Sequence, residues 1–136
     1  MKSPPKISII IPHYSGRKIL TYLIRSILTS NYPNDRLEII IITDDTEYVY
    51  DVLKSFKVIP FKMKVLRRRL WYSVSNGRNI GGMHAEGDIL VFIDDDIVLQ
   101  GDALEKLIAT LINDRRIGCA RPAIFFKDGR LQTLGI

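Results

Sequence analysis

The sequence is almost without cysteine. Cys119 stands alone, so no disulfide can form within the chain and the fold does not depend on an oxidising compartment. Because it lies in an apolar stretch, Cys119 is expected to be a small core residue. Long apolar runs are missing as well: nothing approaches the ~18–20 residues that a membrane helix needs. The first twelve residues do not read as a secretory leader, since their apolar part is only Ile7–Ile11 and Pro12 ends it. A cytoplasmic location is the default expectation. Gly-rich phosphate fingerprints are also absent. The first apolar run is followed by Pro12-His13-Tyr14-Ser15-Gly16, which is neither G-x-G-x-x-G nor a P-loop. That argues against a dinucleotide-binding Rossmann domain and against a P-loop nucleotidase. Internal repeats, low-complexity tracts and linkers are lacking.

What is present supports one domain over residues 1–136. The chain is 46% hydrophobic, enough for a real core at this length. Formal net charge is +5, concentrated at Lys62, Lys64, Arg67, Arg68 and Arg69 and followed by Trp71 and Tyr72. Such a run can meet a membrane surface, a nucleic acid or an anionic substrate, or can simply be a solvated strand edge.

Taken in order, Ile7–Ile11 reads as a β-branched strand closed by Pro12. From Arg17 the period changes: Ile19, Leu20, Leu23, Ile24, Ile27 and Leu28 share one helical face to about Ser30. Leu37–Ile42 is a second buried strand ending in Asp44 and Asp45, and a helix follows over Thr46–Phe56. Met63–Leu66 is a weaker third strand. Ser73–Glu86 has helical spacing but contains Gly77, Gly81 and Gly82, each costing a helix roughly 1 kcal/mol relative to alanine. This implies either a loop or close approach of the backbone to something. Gly87 is a candidate C-cap. Ile89–Ile93 is a strand expected to be buried on both faces. Asp102 and Glu105 resemble a capping box opening an amphipathic helix to about Asp114. Ile117–Phe126 reads as extended, and Lys127-Asp128-Gly129-Arg130 as a hairpin turn.

Alternating strands and helices imply a mainly parallel sheet covered on both faces. Ligands of such sheets bind outside the carboxyl ends of the strands. His13, then Asp44 and Asp45, then Asp94, Asp95 and Asp96 all fall there. Three adjacent carboxylates repel one another unless a cation sits among them. Oxygen-only ligands suit Mg or Mn, and such a metal commonly carries a diphosphate. Arg78 is a possible helper in neutralising it. An acidic turn capping the next helix is the plainer reading of the same residues.

Together, Ile9-Ile10-Ile11-Pro12-His13-Tyr14, Glu38–Asp45, Gly77-Arg78-Asn79-Ile80-Gly81 and Ala85-Glu86-Gly87-Asp88 through Phe92-Ile93-Asp94-Asp95-Asp96 resemble the family-2 glycosyltransferases. The resemblance covers nearly the whole chain. It implies a Rossmann-like GT-A α/β three-layer sandwich, of which this chain is the N-terminal, nucleotide-binding portion. It further implies that Pro12, His13 and Tyr14 line the nucleotide, that Asp44 or Asp45 accepts a hydrogen bond from the base, and that Arg78 approaches the base or the diphosphate. In the D-x-D-type motif, Asp95 would lie near the ribose. Asp96, with Asp94, would ligate the Mg or Mn ion that bridges the diphosphate. Two departures are visible: Thr46 and Glu47 stand where the family usually has glycine and serine, and Ser15 where it has asparagine. No stretch after Gly101 looks like the acceptor-side general base, so the chain alone is expected to be inactive.

The expected function is therefore that of a metal-dependent, inverting hexosyltransferase donor domain taking a UDP-, GDP- or dTDP-sugar. Its acceptor would be a saccharide or a lipid-linked molecule. Lys62–Arg69 offers a peripheral contact with the inner face of the membrane, and no nucleic acid is expected. The alternatives are a non-catalytic nucleotide-sugar-binding fragment and a sugar nucleotidyltransferase, which His13-Tyr14-Ser15-Gly16-Arg17 fits poorly. A receiver-like phosphoryl-transfer domain would need a lone acceptor aspartate rather than a run of three.

Overall fold

A computed structural model describes residues 3–14, 19–68 and 73–134 of the chain. Ser15, Arg17, Arg69, Trp71 and Tyr72, which enter the sequence reading, lie outside the described residues.

The elements run β1 (Ile7–His13), α1 (Leu20–Leu28), a 3-10 turn (Asn34–Arg36), β2 (Leu37–Thr43), α2 (Thr46–Lys54), β3 (Lys62–Arg67), α3 (Val74–His84), β4 (Ile89–Phe92), α4 (Ala103–Asn113), β5 (Ile124–Phe125) and β6 (Leu131–Thr133). The first four strands form one parallel sheet in the order β3-β2-β1-β4. β5 and β6 make a separate antiparallel hairpin. Its turn places Gly129 at φ 83°, a left-handed conformation that favours glycine.

Strand side chains alternate between faces, and the two faces of the sheet have different partners. Ile7, Ile9, Ile11, Ile39 and Ile41 pack with Leu20, Leu23, Ile24 and Ile27 of α1, Val49 of α2, and Leu104 and Ile108 of α4. On the opposite face Ile10, Ile40 and Ile42 pack with Ile80 of α3, Leu66 and Ala85. The result is the expected three-layer α/β sandwich.

α3 resolves the glycine puzzle in favour of a helix. Ser73 caps it, its side chain accepting from the Asn76 N–H at 3.2 Å. The glycines let it lie close on the sheet: a Cβ at Gly81 would stand 2.3 Å from Ile10 Cγ2 and 2.9 Å from Ile42 Cδ1. Gly87 is not the C-cap, because α3 already ends at His84 with Ala85 extended. Its role is a close approach, since a Cβ there would fall 2.5 Å from the backbone nitrogen of Ser8.

Pro12 does not close β1. The strand continues to His13, in register with Thr43. The Ile10 carbonyl accepts from the Ile93 N–H on the β4 side. Residues two apart face the same neighbour in a ladder, so the donorless nitrogen of Pro12 faces β4, where that pairing has ended, and the ladder to β2 is untouched.

Other expectations are corrected. β4 is not buried on both faces: Leu90 and Phe92 are 42% and 48% exposed, because β4 is an edge strand of the described sheet. Asp102 precedes α4 but makes no cap hydrogen bond; its carboxylate pairs instead with Lys106 at 2.6 Å. Cys119 is exposed, since the segment before β5 pairs with no described strand.

The amino edge of the sheet is locked around one buried carboxylate. Glu38 accepts from the Ser8 hydroxyl, from the Glu86 N–H at 2.9 Å and from Lys64 Nζ at 2.8 Å. Ser8 in turn accepts from the Gly87 N–H at 2.8 Å. Burial raises the Glu38 pKa, but hydrogen bonds from Lys64, Ser8 and the Glu86 backbone outweigh it and hold the carboxyl below its ordinary value. Nearby, hydrogen bonds from Lys62 and Lys64 hold Glu86 at about 2. Within the basic run, Lys62 and Lys64 are paired with Glu86 and Arg68 is buried.

Candidate functional site at the carboxyl edge of the sheet

Four parallel strands deliver their carboxyl ends to one edge. β1 brings His13 and Tyr14, β2 brings Thr43, Asp44 and Asp45, β3 brings Arg67 and Arg68, and β4 runs through Ile93 into Asp94, Asp95 and Asp96. α3 lies over one face and carries Arg78 to the same edge, where its guanidinium meets Asp94 Oδ1 at 2.7 Å. A cavity of about 130 Å³ lies at the opposite, amino edge, among Lys6, Asp35, Arg36, Glu38, Lys62 and Glu86, and is not part of this constellation.

The three aspartates do not share one environment. Asp95 is 2% exposed, and its Oδ2 lies 2.9 Å from Nδ1 of His13, whose ring is fully buried. Asp94 and Asp96 are exposed. Turning the middle carboxylate inward separates the three charges, which is how the loop tolerates the run. The Ile97 N–H closes the turn on the Asp94 carbonyl at 3.2 Å.

The β2–α2 turn is equally specified. Thr43 Oγ1 accepts from the Asp45 N–H at 3.0 Å, and Asp45 Oδ1 accepts from the Tyr48 N–H at 3.0 Å. Asp45 is therefore the N-cap of α2, and of the two carboxylates Asp44 is the one not used as a cap. Tyr48 stacks on His13 with ring centroids 5.3 Å apart. Burial, and after it the Asp95 and Asp45 carboxylates, push the Tyr48 hydroxyl above its usual value, while a hydrogen bond with the Leu20 backbone opposes them.

Arg68 was legible only as a member of the basic run, yet it belongs to this edge. Its N–H bonds to the Thr43 carbonyl at 2.8 Å. Its guanidinium lies over the Tyr14 ring at 3.7 Å from the centroid, a cation–π contact. Its position directly after β3 is the signal that could have found it. Pro12 packs beneath α3, 3.4 Å from where a Gly77 Cβ would be. His84 is exposed and its ring Nδ1 lies 2.9 Å from the Ile80 carbonyl, as expected of a surface residue.

Among the described residues no group of three or more His, Cys, Asp or Glu side chains converges to hold a metal. Mg-type sites do not require one, because they use one or two carboxylates plus substrate phosphates and water. The exposed Asp96 fits that pattern. Arg78 fits a phosphate partner: its Nε is buried and lacks a hydrogen-bond partner among the described residues.

Residues 8–134 match the family described as Glycosyl transferase family 2. The chain belongs to this family. It is 28% identical over 122 residues to the probable glycosyltransferase YdaM of Bacillus subtilis, covering 87% of this chain and 29% of that protein. It is 30% identical to polypeptide N-acetylgalactosaminyltransferase 8 of Drosophila melanogaster, covering 91% and 21%. Among solved structures it is similar to the mannosyltransferase PcManGT from Pyrobaculum calidifontis in complex with GDP-Man and Mn2+, with TM-score 0.72, 19% identity, and 90% of this chain against 34% of that one. Staphylococcus aureus TarS 1-349 in complex with UDP-GlcNAc gives TM-score 0.69 at 21% identity, covering 90% and 38%. These likenesses bear out the GT-A-like α/β fold. The chain spans less than half the length of these relatives. No helix among the described residues is long and apolar enough to cross a membrane.

Proposed function

We propose that this chain is the donor-binding part of a glycosyltransferase, taking a nucleoside-diphosphate sugar with its diphosphate on Mg or Mn. The observation that carries this is the convergence, in a member of that family, of Tyr14, Asp44, Arg68, Arg78, Asp94 and Asp96 at the carboxyl edge of one parallel sheet. The complexes of PcManGT with GDP-Man and Mn2+ and of TarS with UDP-GlcNAc support this class of ligand.

In this reading Tyr14, backed by Arg68, is the platform for the base, and Asp44 accepts a hydrogen bond from it. Asp45 acts through the turn it caps, and Pro12 through its packing beneath α3. Arg78 presents its guanidinium to the diphosphate from α3. Asp96 is the principal ligand of the cation and Asp94 the second. When bound, the cation supplies charge neutralisation for a departing diphosphate. The reaction assigned to the whole protein is attack of an acceptor hydroxyl on the anomeric carbon with inversion, and none of the residues described here is assigned as its general base.

Calorimetric titration of UDP, GDP and dTDP with and without Mn tests the site, repeated on Asp96→Ala. The expected result is binding that needs the metal and is lost in the variant. Equal binding by Asp96→Ala, or metal-independent binding, would remove Asp96 from its role.

A further inference from the structure

Arg78 and Asp94 hold each other, and the proposed function asks each of them to hold something else. Arg78 donates from Nη2 to Asp94 Oδ1 at 2.7 Å. In the donor reading that carboxylate ligates the cation and that guanidinium meets the diphosphate. A cation on Asp94 would stand beside the guanidinium, and like charges that close repel. Both roles therefore oppose the grip of the pair on itself.

The pair is suited to exchange. The Arg78 side chain is 39% and that of Asp94 53% exposed, and an ion pair this open to water shifts an equilibrium by no more than about fivefold. The guanidinium is also incompletely satisfied. Arg78 Nε is buried without a hydrogen-bond partner among the described residues, whereas a guanidinium fork matches two oxygens of a carboxylate or phosphate. The backbones on either side are seated. Gly77 lies against Pro12, and Gly81 against Ile10 and Ile42, which fixes the turn of α3 that carries Arg78. The Asp94 carbonyl accepts from the Ile97 N–H at 3.2 Å. Parting the pair thus needs rotation of exposed side chains and no movement of helix or strand.

We propose that the Arg78–Asp94 pair is a latch that couples the cation to the diphosphate. Arg78 competes with the cation for Asp94, and Asp94 competes with the diphosphate for Arg78. A metal–nucleoside diphosphate complex offers a new partner to both residues at once. Arg78 turns to the phosphate oxygens and Asp94 is released to the metal. The free ion or the metal-free nucleotide satisfies only one of them, so the latch favours the loaded donor over either half. This rests on the donor-site reading and adds the regulation of that site.

Each member of the pair is removed in turn. Binding of Mn without nucleotide is followed by the paramagnetic resonance signal of the free ion, and binding of UDP, GDP and dTDP without metal by calorimetry. Arg78→Gln frees Asp94 and is expected to bind Mn alone about three- to fivefold more tightly than the wild-type chain. Asp94→Asn frees Arg78 and is expected to bind metal-free nucleotide more tightly. Presented with Mn and nucleotide together, both variants are expected to bind more weakly than wild type.

A change of charge near an acidic loop alters cation binding by itself, so the double variant Arg78→Gln/Asp94→Asn completes a cycle. Under the latch, each gain disappears when the other residue has already been replaced. Gains of equal size in both backgrounds would reflect charge alone and overturn the proposal, as would the absence of either gain, or of any Mn binding. If Arg78→Gln gains nothing while the wild-type chain binds nucleotide with the metal, the donor reading stands and the latch fails. If the Mn gain and its loss in the double variant hold while no protein binds nucleotide, competition at Asp94 is real and the donor reading is what fails.

Discussion

Adjacent glycines in α3 should respond with opposite signs when each is replaced by alanine. At Gly81 the new methyl would lie 2.3 Å from Ile10 Cγ2 and 2.9 Å from Ile42 Cδ1. Ile10 is fully buried in the sheet and β-branched, so neither its backbone nor its χ1 can yield cheaply. Overpacking of this kind costs about 1–3 kcal/mol, with this overlap at the upper end. The gain in helix propensity returns roughly 1 kcal/mol. Gly81→Ala should therefore lose about 2 kcal/mol. At Gly82 the nearest atom to a new methyl is Leu90 Cδ1 at 3.8 Å, an ordinary contact, so Gly82→Ala should gain about 0.5–1 kcal/mol. With a urea slope of about 2 kcal/mol/M, the two midpoints should differ by more than ~1 M. The effect should also reach the site. Lifting α3 off the sheet moves Arg78 from Asp94, so Gly81→Ala should weaken nucleotide binding and Gly82→Ala should not. Equal midpoints for the two variants would refute the claim that Gly81 is there to let the helix touch the sheet.

Two further outcomes follow from the structure outside the site. The Glu38 carboxyl lies below its ordinary 4.5 in the folded state, so its stabilisation is complete above that value and is lost as pH falls through the lower folded value. Unfolding free energy should drop between pH 5 and pH 3, and Glu38→Gln should flatten that drop; an unchanged slope in the variant would show that other carboxyls carry it. Cys119 is exposed, so it should react with a thiol reagent in native buffer without denaturant, whereas reaction only on unfolding would return it to the core.

The strands and their order of chemistry were legible because the isoleucine runs of β1 and β2 are nearly continuous, and strand ends in a parallel sheet share one edge. α3 was ambiguous because a glycine's propensity is a local property, whereas the reason for Gly81 is the position of Ile10, about seventy residues earlier in the chain. β4 looked like a central strand from its five apolar residues, but which strands flank it is a tertiary fact. The aspartate run shows the limit most clearly. Composition marks it as a site, but cannot say that the middle carboxylate turns inward. Inside, that carboxylate meets His13, eighty-two residues away, a residue whose sequence neighbours suggest a ligand-lining loop. Arg68 was hidden for the opposite reason: surrounding charges of the same kind made it look like one member of a solvated patch. Its distinction is positional, since it is the residue that directly follows β3. In a parallel α/β sheet, then, a polar residue is better judged by its distance from a strand's carboxyl end than by its company in sequence.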